Sequence, residues 1–279
     1  MNPTLGRWGK FGLGTYFWAL VLFLYTPLVV LLVFSFNDST IATLPYSGFT
    51  TKWYGRAFDN QEMVDAIMLS AKIALLNSVF ATALGVVGAV GLSAGRLFGR
   101  SAITALLMLP LVVPYIVLGI GMLILINQVN VDQSMWVVLA GHIVITVPYT
   151  ILVVLPRLRT LDDALPEAAR DLGSSDVGAF FRITAPLILP AVVSAMIISF
   201  IISFDEYAIA SFLVPPGDKT FPIFVYGGTK VPEQRPELLA IGATVIVISL
   251  CVVMIAEFGR GWLERRQTGR DSLAAATAE

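Results

Sequence analysis

Cysteine occurs once, at Cys251, and histidine once, at His142, so neither a disulfide framework nor a cysteine or histidine metal cluster can be assembled within this chain. Charge is scarce too. Only 13% of the 279 residues are charged and the formal net charge is -1, so no overall field invites nucleic acid or an acidic partner. No string of the form G-x-x-x-x-G-K-[ST] is present, "GRWGKF" having the wrong spacing and no following hydroxyl, and no serine nucleophile elbow is found. A chain without these devices reads as a non-enzyme.

What the chain does have is apolar length. With 57% hydrophobic residues and a mean hydropathy of +0.82 it belongs in a bilayer. Six apolar runs, 16–36, 66–93, 103–126, 135–155, 187–213 and 238–262, are each long enough to cross one. The first lacks the cleavage site of a signal peptide and reads as a retained span that tolerates Pro27. Cys251, inside the sixth run, reads as a small packing residue. Twelve Lys and Arg collect on one side of the six runs and five on the other, with Lys72 inside the second run, which predicts that both termini face the cytoplasm. The expected organisation is an all-α polytopic membrane protein: a cytoplasmic N-terminus at 1–15, a six-helix domain at 16–263 and a cytoplasmic tail at 264–279.

Small residues at Ala81, Gly85, Ala89 and Ser93 line one face of the second run and let another helix approach closely, within the chain or from a second subunit. His142, one turn from Thr146, reads as a hydrogen-bonded packing residue or a substrate contact. The fifth run carries Ser199, Ser203 and Glu206 on one helical stripe, with Asp205 turned about 100° away. Carboxylates in a span face water or a partner, so this pair marks either a substrate path or a charged helix end bound to Lys72 or Lys219.

The polar interruption "LPEAARDLGSSDVGAFFRITAP", residues 165–186, falls on the cytoplasmic side. Pro166 suits a first helical turn, Gly173 a left-handed end, and Ser174 or Ser175 the cap of a second short helix carrying Val177, Phe180, Phe181 and Ile183. Two readings follow: a docking knob for a soluble partner, or an amphipathic segment lying on the membrane.

"EAARDLG" followed by "ITAP" resembles the EAA loop of permease subunits in binding-protein-dependent ABC importers, with Glu167, Ala168, Ala169, Gly173, Ile183 and Pro186 at the family's spacing and Ala185 where Leu is usual. "YTPLVVLLVFSFND", "GFTTKWY", "LPLVVPYIVLGIG" and "SFDEYAIASFLVPPGDKTFP" are similar to the spermidine/putrescine branch, with Glu206 where that branch has Asp and no Asn in "RPELLAIGAT". The resemblance implies a type I importer permease in a bacterial inner membrane, whose coupling loop at 157–186, including Asp171, sits in a cleft of a cytoplasmic ATPase. It implies two ATPase subunits that bind ATP and Mg, none bound by this chain, a second homologous permease, surrounding membrane lipid and a soluble substrate-binding protein. The substrate path would draw on Ser199, Ser203, Asp205, Glu206 and Tyr207. Related permeases for opines, other amino-acid derivatives or ferric ion are the alternative, and an ion-coupled secondary transporter, expected to show inverted repeats and broken helices, is the rival.

Overall fold

The computed structural model describes residues 7–39, 44–93, 98–162, 164–251 and 254–255. The tail expected at 264–279, residues 1–6 and the end of the sixth run lie outside them. Among the described residues every regular element is helical, apart from an isolated antiparallel bridge between Asn37 and Phe49. The chain divides into two compact units, Met1–Gln61 with Tyr226–Ser249 and Glu62–Val225 with Leu250–Glu279.

The first unit opens with α1 (Arg7–Phe34), which is apolar around its whole circumference. Phe17, Trp18, Leu22 and Phe23 all point outward, as suits a helix solvated by hydrocarbon rather than water. A polar and aromatic knot closes its end: Ser35 Oγ lies 2.7 Å from Tyr54 Oη, Trp53 Nε1 donates to Asn37 O at 2.8 Å, and Phe36 stacks on Phe49. The short amphipathic α2 (Lys52–Asp59) is thereby fixed, with Trp53 and Ala57 buried.

The second unit begins with α3 (Gln61–Ser93), whose small residues do what their spacing allows within the chain. Ala81 and Ala89 are fully buried, and Gly85 abuts Thr150 of α6 (Met135–Arg159). Between them the third apolar run is bent. α4 (Arg100–Met108), continued by a tight turn at Leu109–Leu111, and α5 (Tyr115–Gln128) meet at 100° where one straight span was expected. The cause is in "LPLVVP": Pro110 and Pro114 lack N–H groups and their rings clash with the preceding helical carbonyls, a penalty to which hydropathy is blind. Counting the bent pair as one crossing, the described residues hold six helical segments apolar enough to span a membrane.

α6 is the most enclosed element, started by Ser134, whose side chain accepts from Val137 N, and packed through Val138, Ile145, Ile151 and Val154. After it come α7 (Ala164–Asp171) and α8 (Asp176–Ala179), then a π-helical turn at Phe180–Thr184 leading into α9 (Ala185–Phe204). Expected as a separate short helix and then a span at 187–213, this stretch is one helical body of 29 residues, Asp176–Phe204. It starts early because the π turn lets the helix continue instead of breaking, and ends early at Asp205. The short α10 (Ala210–Leu213) and α11 (Phe221–Gly228) follow, with Ile209, Ala210 and Leu213 packed in one core with Ile73, Val138 and Ile145. The chain then returns to the first unit through α12 (Pro232–Cys251). Cys251 is exposed rather than packed: the surface of a lipid-facing helix is itself apolar, so apolar neighbours in sequence do not signal burial.

Candidate functional site

At one end of the 29-residue helical body lies the polar loop. α7 ends in a Schellman motif: Ser174 N donates to Ala169 O at 2.9 Å and Gly173 N to Arg170 O at 2.8 Å, with Gly173 at φ +88°. Ser175 then starts α8 by accepting from Gly178 N at 3.1 Å. Arg170 reaches 3.6 Å from Asp176 across the bend. Glu167, Ala168, Asp171, Gly173 and Pro186 are exposed, Ala169 and Ile183 half-buried. Leu172 is 90% exposed and Val177 and Phe181 are exposed too, the Phe181 ring meeting Phe180 edge-on, so the loop presents an uncovered apolar surface. Behind the bend a cavity of about 440 Å³, lined among others by Val90, Ser93, Arg159, Asp162 and Thr184, leaves α7 incompletely packed on the helices above it.

At the other end lie the acids, and they differ. Asp205 caps α9 and is exposed; Tyr207 is half-buried. Ser199, Ser203 and Glu206 share the expected stripe, and that stripe is buried. Glu206 Oε1 and Oε2 both accept from Ile209 N, at 2.9 and 3.0 Å, and Oε2 also accepts from Ala210 N at 2.9 Å. His142 Nε2 stands 3.3 Å from Oε2, in ion-pair range but off the axis of a hydrogen bond, while His142 Nδ1 lies 2.7 Å from Ser203 Oγ. Lys219 pairs with Glu62 instead of either acid, and Lys72 is exposed. Ser203, His142 and Glu206 follow one another in the order of a hydrolase triad, but Ser203 is only 2% exposed and His142 Nε2 makes no hydrogen bond to Glu206, so the row does not form a nucleophilic site open to substrate.

Between the two ends runs a seam of polar contacts, of which sequence reading had Ser199 and Thr146 but passed over Asn77, Thr150, Tyr115 and Tyr149. Asn77 Nδ2 donates to Ser199 O at 3.0 Å, Thr146 Oγ1 donates to Asn77 Oδ1 at 3.1 Å, and Thr150 Oγ1 lies 3.3 Å from Ser199 Oγ. Tyr115 Oη and Tyr149 Oη approach to 3.1 Å. An amide in the middle of "IALLNSVF" was the available signal, since a polar group at that depth requires a partner.

Residues 81–269 match a family model described as "Binding-protein-dependent transport system inner membrane component". The spermidine/putrescine transport system permease protein PotC of Escherichia coli K12 is 32% identical over 249 residues, 89% of this chain and 94% of that protein. The putrescine transport system permease protein PotI of the same organism is 34% identical over 238 residues, 83% of this chain and 84% of that one. Among solved structures, a bacterial ABC transporter involved in the import of the acidic polysaccharide alginate superposes with a TM-score of 0.68 at 16% identity, covering 90% of this chain and 93% of that one. The last likeness is one of fold.

Proposed function

Because the chain belongs to the inner-membrane components of binding-protein-dependent transport systems, a family of multi-pass permeases, we propose that it is the subunit through which spermidine, putrescine or a related polyamine enters the cytoplasm. The observation that carries this reading is the arrangement of two sites on one body: an open carboxylate at one end of Asp176–Phe204 and an exposed helical loop at the other. At 1.5 Å per residue those 29 residues extend roughly 43 Å, more than the hydrocarbon core of about 30 Å. A movement at the loop therefore acts on the far side of the membrane.

Two cytoplasmic ATPases dock on the coupling loops, one on Glu167, Ala168, Ala169, Leu172 and Val177 of this chain and one on a second, non-identical permease. ATP and Mg bind in the ATPases, this chain carrying no phosphate cradle. A soluble binding protein delivers substrate from outside, and both termini lie in the cytoplasm, as the Lys and Arg bias supports. Closure of the ATPases draws the loops together and turns the cavity from inward to outward facing, a rigid-body exchange between two states. One carboxylate in water attracts an ammonium 4 Å away by only about 1 kcal/mol, so Asp205 needs further acceptors from the partner permease to hold a polycation.

The test is uptake by the reconstituted complex. Labelled spermidine and putrescine should be transported, with little competition from neutral amino acids, opines or ferric ion, and the purified chain alone should hydrolyse no ATP. Preferential transport of one of those competitors would overturn the polyamine assignment; hydrolysis by the isolated chain would end the subunit reading.

A further inference from the structure

Asp205 and Glu206 are neighbours of like charge, yet only one of them is available to a substrate. An ionised carboxylate offers about four lone-pair directions. Three of those of Glu206 are taken by the N–H groups of Ile209 and Ala210, His142 Nε2 stands beside Oε2, and the side chain is buried. A substrate ammonium reaching it would have to displace backbone donors that have no other acceptor at hand. The bonds instead tie three elements together. The first N–H groups of α10 are capped by a charged acceptor, which a helix start favours, and the same carboxylate lies in ion-pair range of His142 on α6, whose other ring nitrogen meets Ser203 in the last turn of α9.

Resting on the reading of this chain as a cation permease, we infer that Glu206 is a positioning residue and that Asp205 alone of the pair faces the cation. Glu206 fixes the direction in which the chain leaves α9, and so holds Asp205 and Tyr207 on the open side of the break. The two positions then have different chemical requirements. Position 205 needs a negative charge. Position 206 needs an acceptor oxygen at the reach of a glutamate; the aspartate of the resembling pattern is one methylene shorter and, while able to cap Ile209 N, would not hold Ala210 N and stand beside His142 as well.

The experiment compares matched pairs of substitutions in the reconstituted complex, reading spermidine KM, kcat and the melting temperature. Asp205→Asn should raise KM about tenfold and Asp205→Glu less than about threefold. Glu206→Gln, which keeps length and one acceptor oxygen, should leave KM within about twofold and lower kcat modestly. Glu206→Asp, which keeps the charge but loses reach, should raise KM about fivefold and lower the melting temperature by several degrees. The inference is overturned if Glu206→Gln raises KM as much as Asp205→Asn while Glu206→Asp is harmless, the pattern of a direct charge contact. A KM for every polyamine indifferent to Asp205→Asn brings down the cation reading instead, and the melting temperature of Glu206→Asp then still reports on the cap.

Discussion

A β-carbon at position 85 would stand 2.4 Å from Thr150 Cβ, so Gly85 is the point at which α3 and α6 touch with no room between them. The hydroxyl of the same threonine is 3.3 Å from Ser199 Oγ, which makes the glycine the neighbour of a contact between α6 and α9 as well. Gly85→Val is expected to destabilise the protein by about 1–3 kcal/mol through overpacking. At Gly91 on the same helix a β-carbon would meet nothing within 4 Å, so Gly91→Val serves as the control. Thermal unfolding of both variants in mild detergent checks this; equal melting temperatures would mean that the helices part to admit the side chain.

Asn77 joins α3 to Ser199 of α9 and to Thr146 of α6. Asn77→Ala should cost about 1 kcal/mol, because it leaves a buried hydroxyl with fewer partners. A double-mutant cycle with Thr146→Val isolates the pair, for which membrane proteins average a coupling of about 0.6 kcal/mol. Strict additivity in unfolding measurements would show that the contact carries no net energy.

Gly173 sits at φ +88° with open space where a side chain would go, so a substitution strains the backbone without a clash. Gly173→Asp should cost about 1 kcal/mol in the loop and turn α7 relative to α8. Together with Ala169→Arg at the expected contact, it should weaken co-purification of the ATPase or raise ATP turnover per polyamine imported, with the melting temperature of the chain itself little changed. Normal assembly and tight coupling in both variants would return the loop to the membrane surface.

Local chemistry was more legible than helix geometry. The loop could be read because its signals are short-range: Pro166 to begin, Gly173 to stop, Ser175 to start again, each acting within one turn. The small-residue face of α3 was equally readable as a close approach, although only the structure names Thr150 as the residue met. Breaks inside apolar segments were not readable from hydropathy, which scores the region around Pro110 and Pro114 as one run. The stripe of Ser199, Ser203 and Glu206 was correctly drawn as a stripe, but periodicity cannot tell a face turned to an aqueous path from one turned to neighbouring helices. That decision lay with Asn77, His142, Thr146 and Thr150, distant in sequence and brought together by α6.

The π turn at Phe180–Thr184 accommodates one residue more than an α-helical turn would. Since each residue advances an α-helix by about 100°, that single residue sets the angular phase between the Gly173 bend and Asp205. The rotational phase of the polar loop against Asp205 along this body is thus set by chain length. Point substitutions along α9 can loosen or tighten its packing but leave this phase untouched, whereas loss of one residue from the turn would swing one end about a quarter of a revolution against the other.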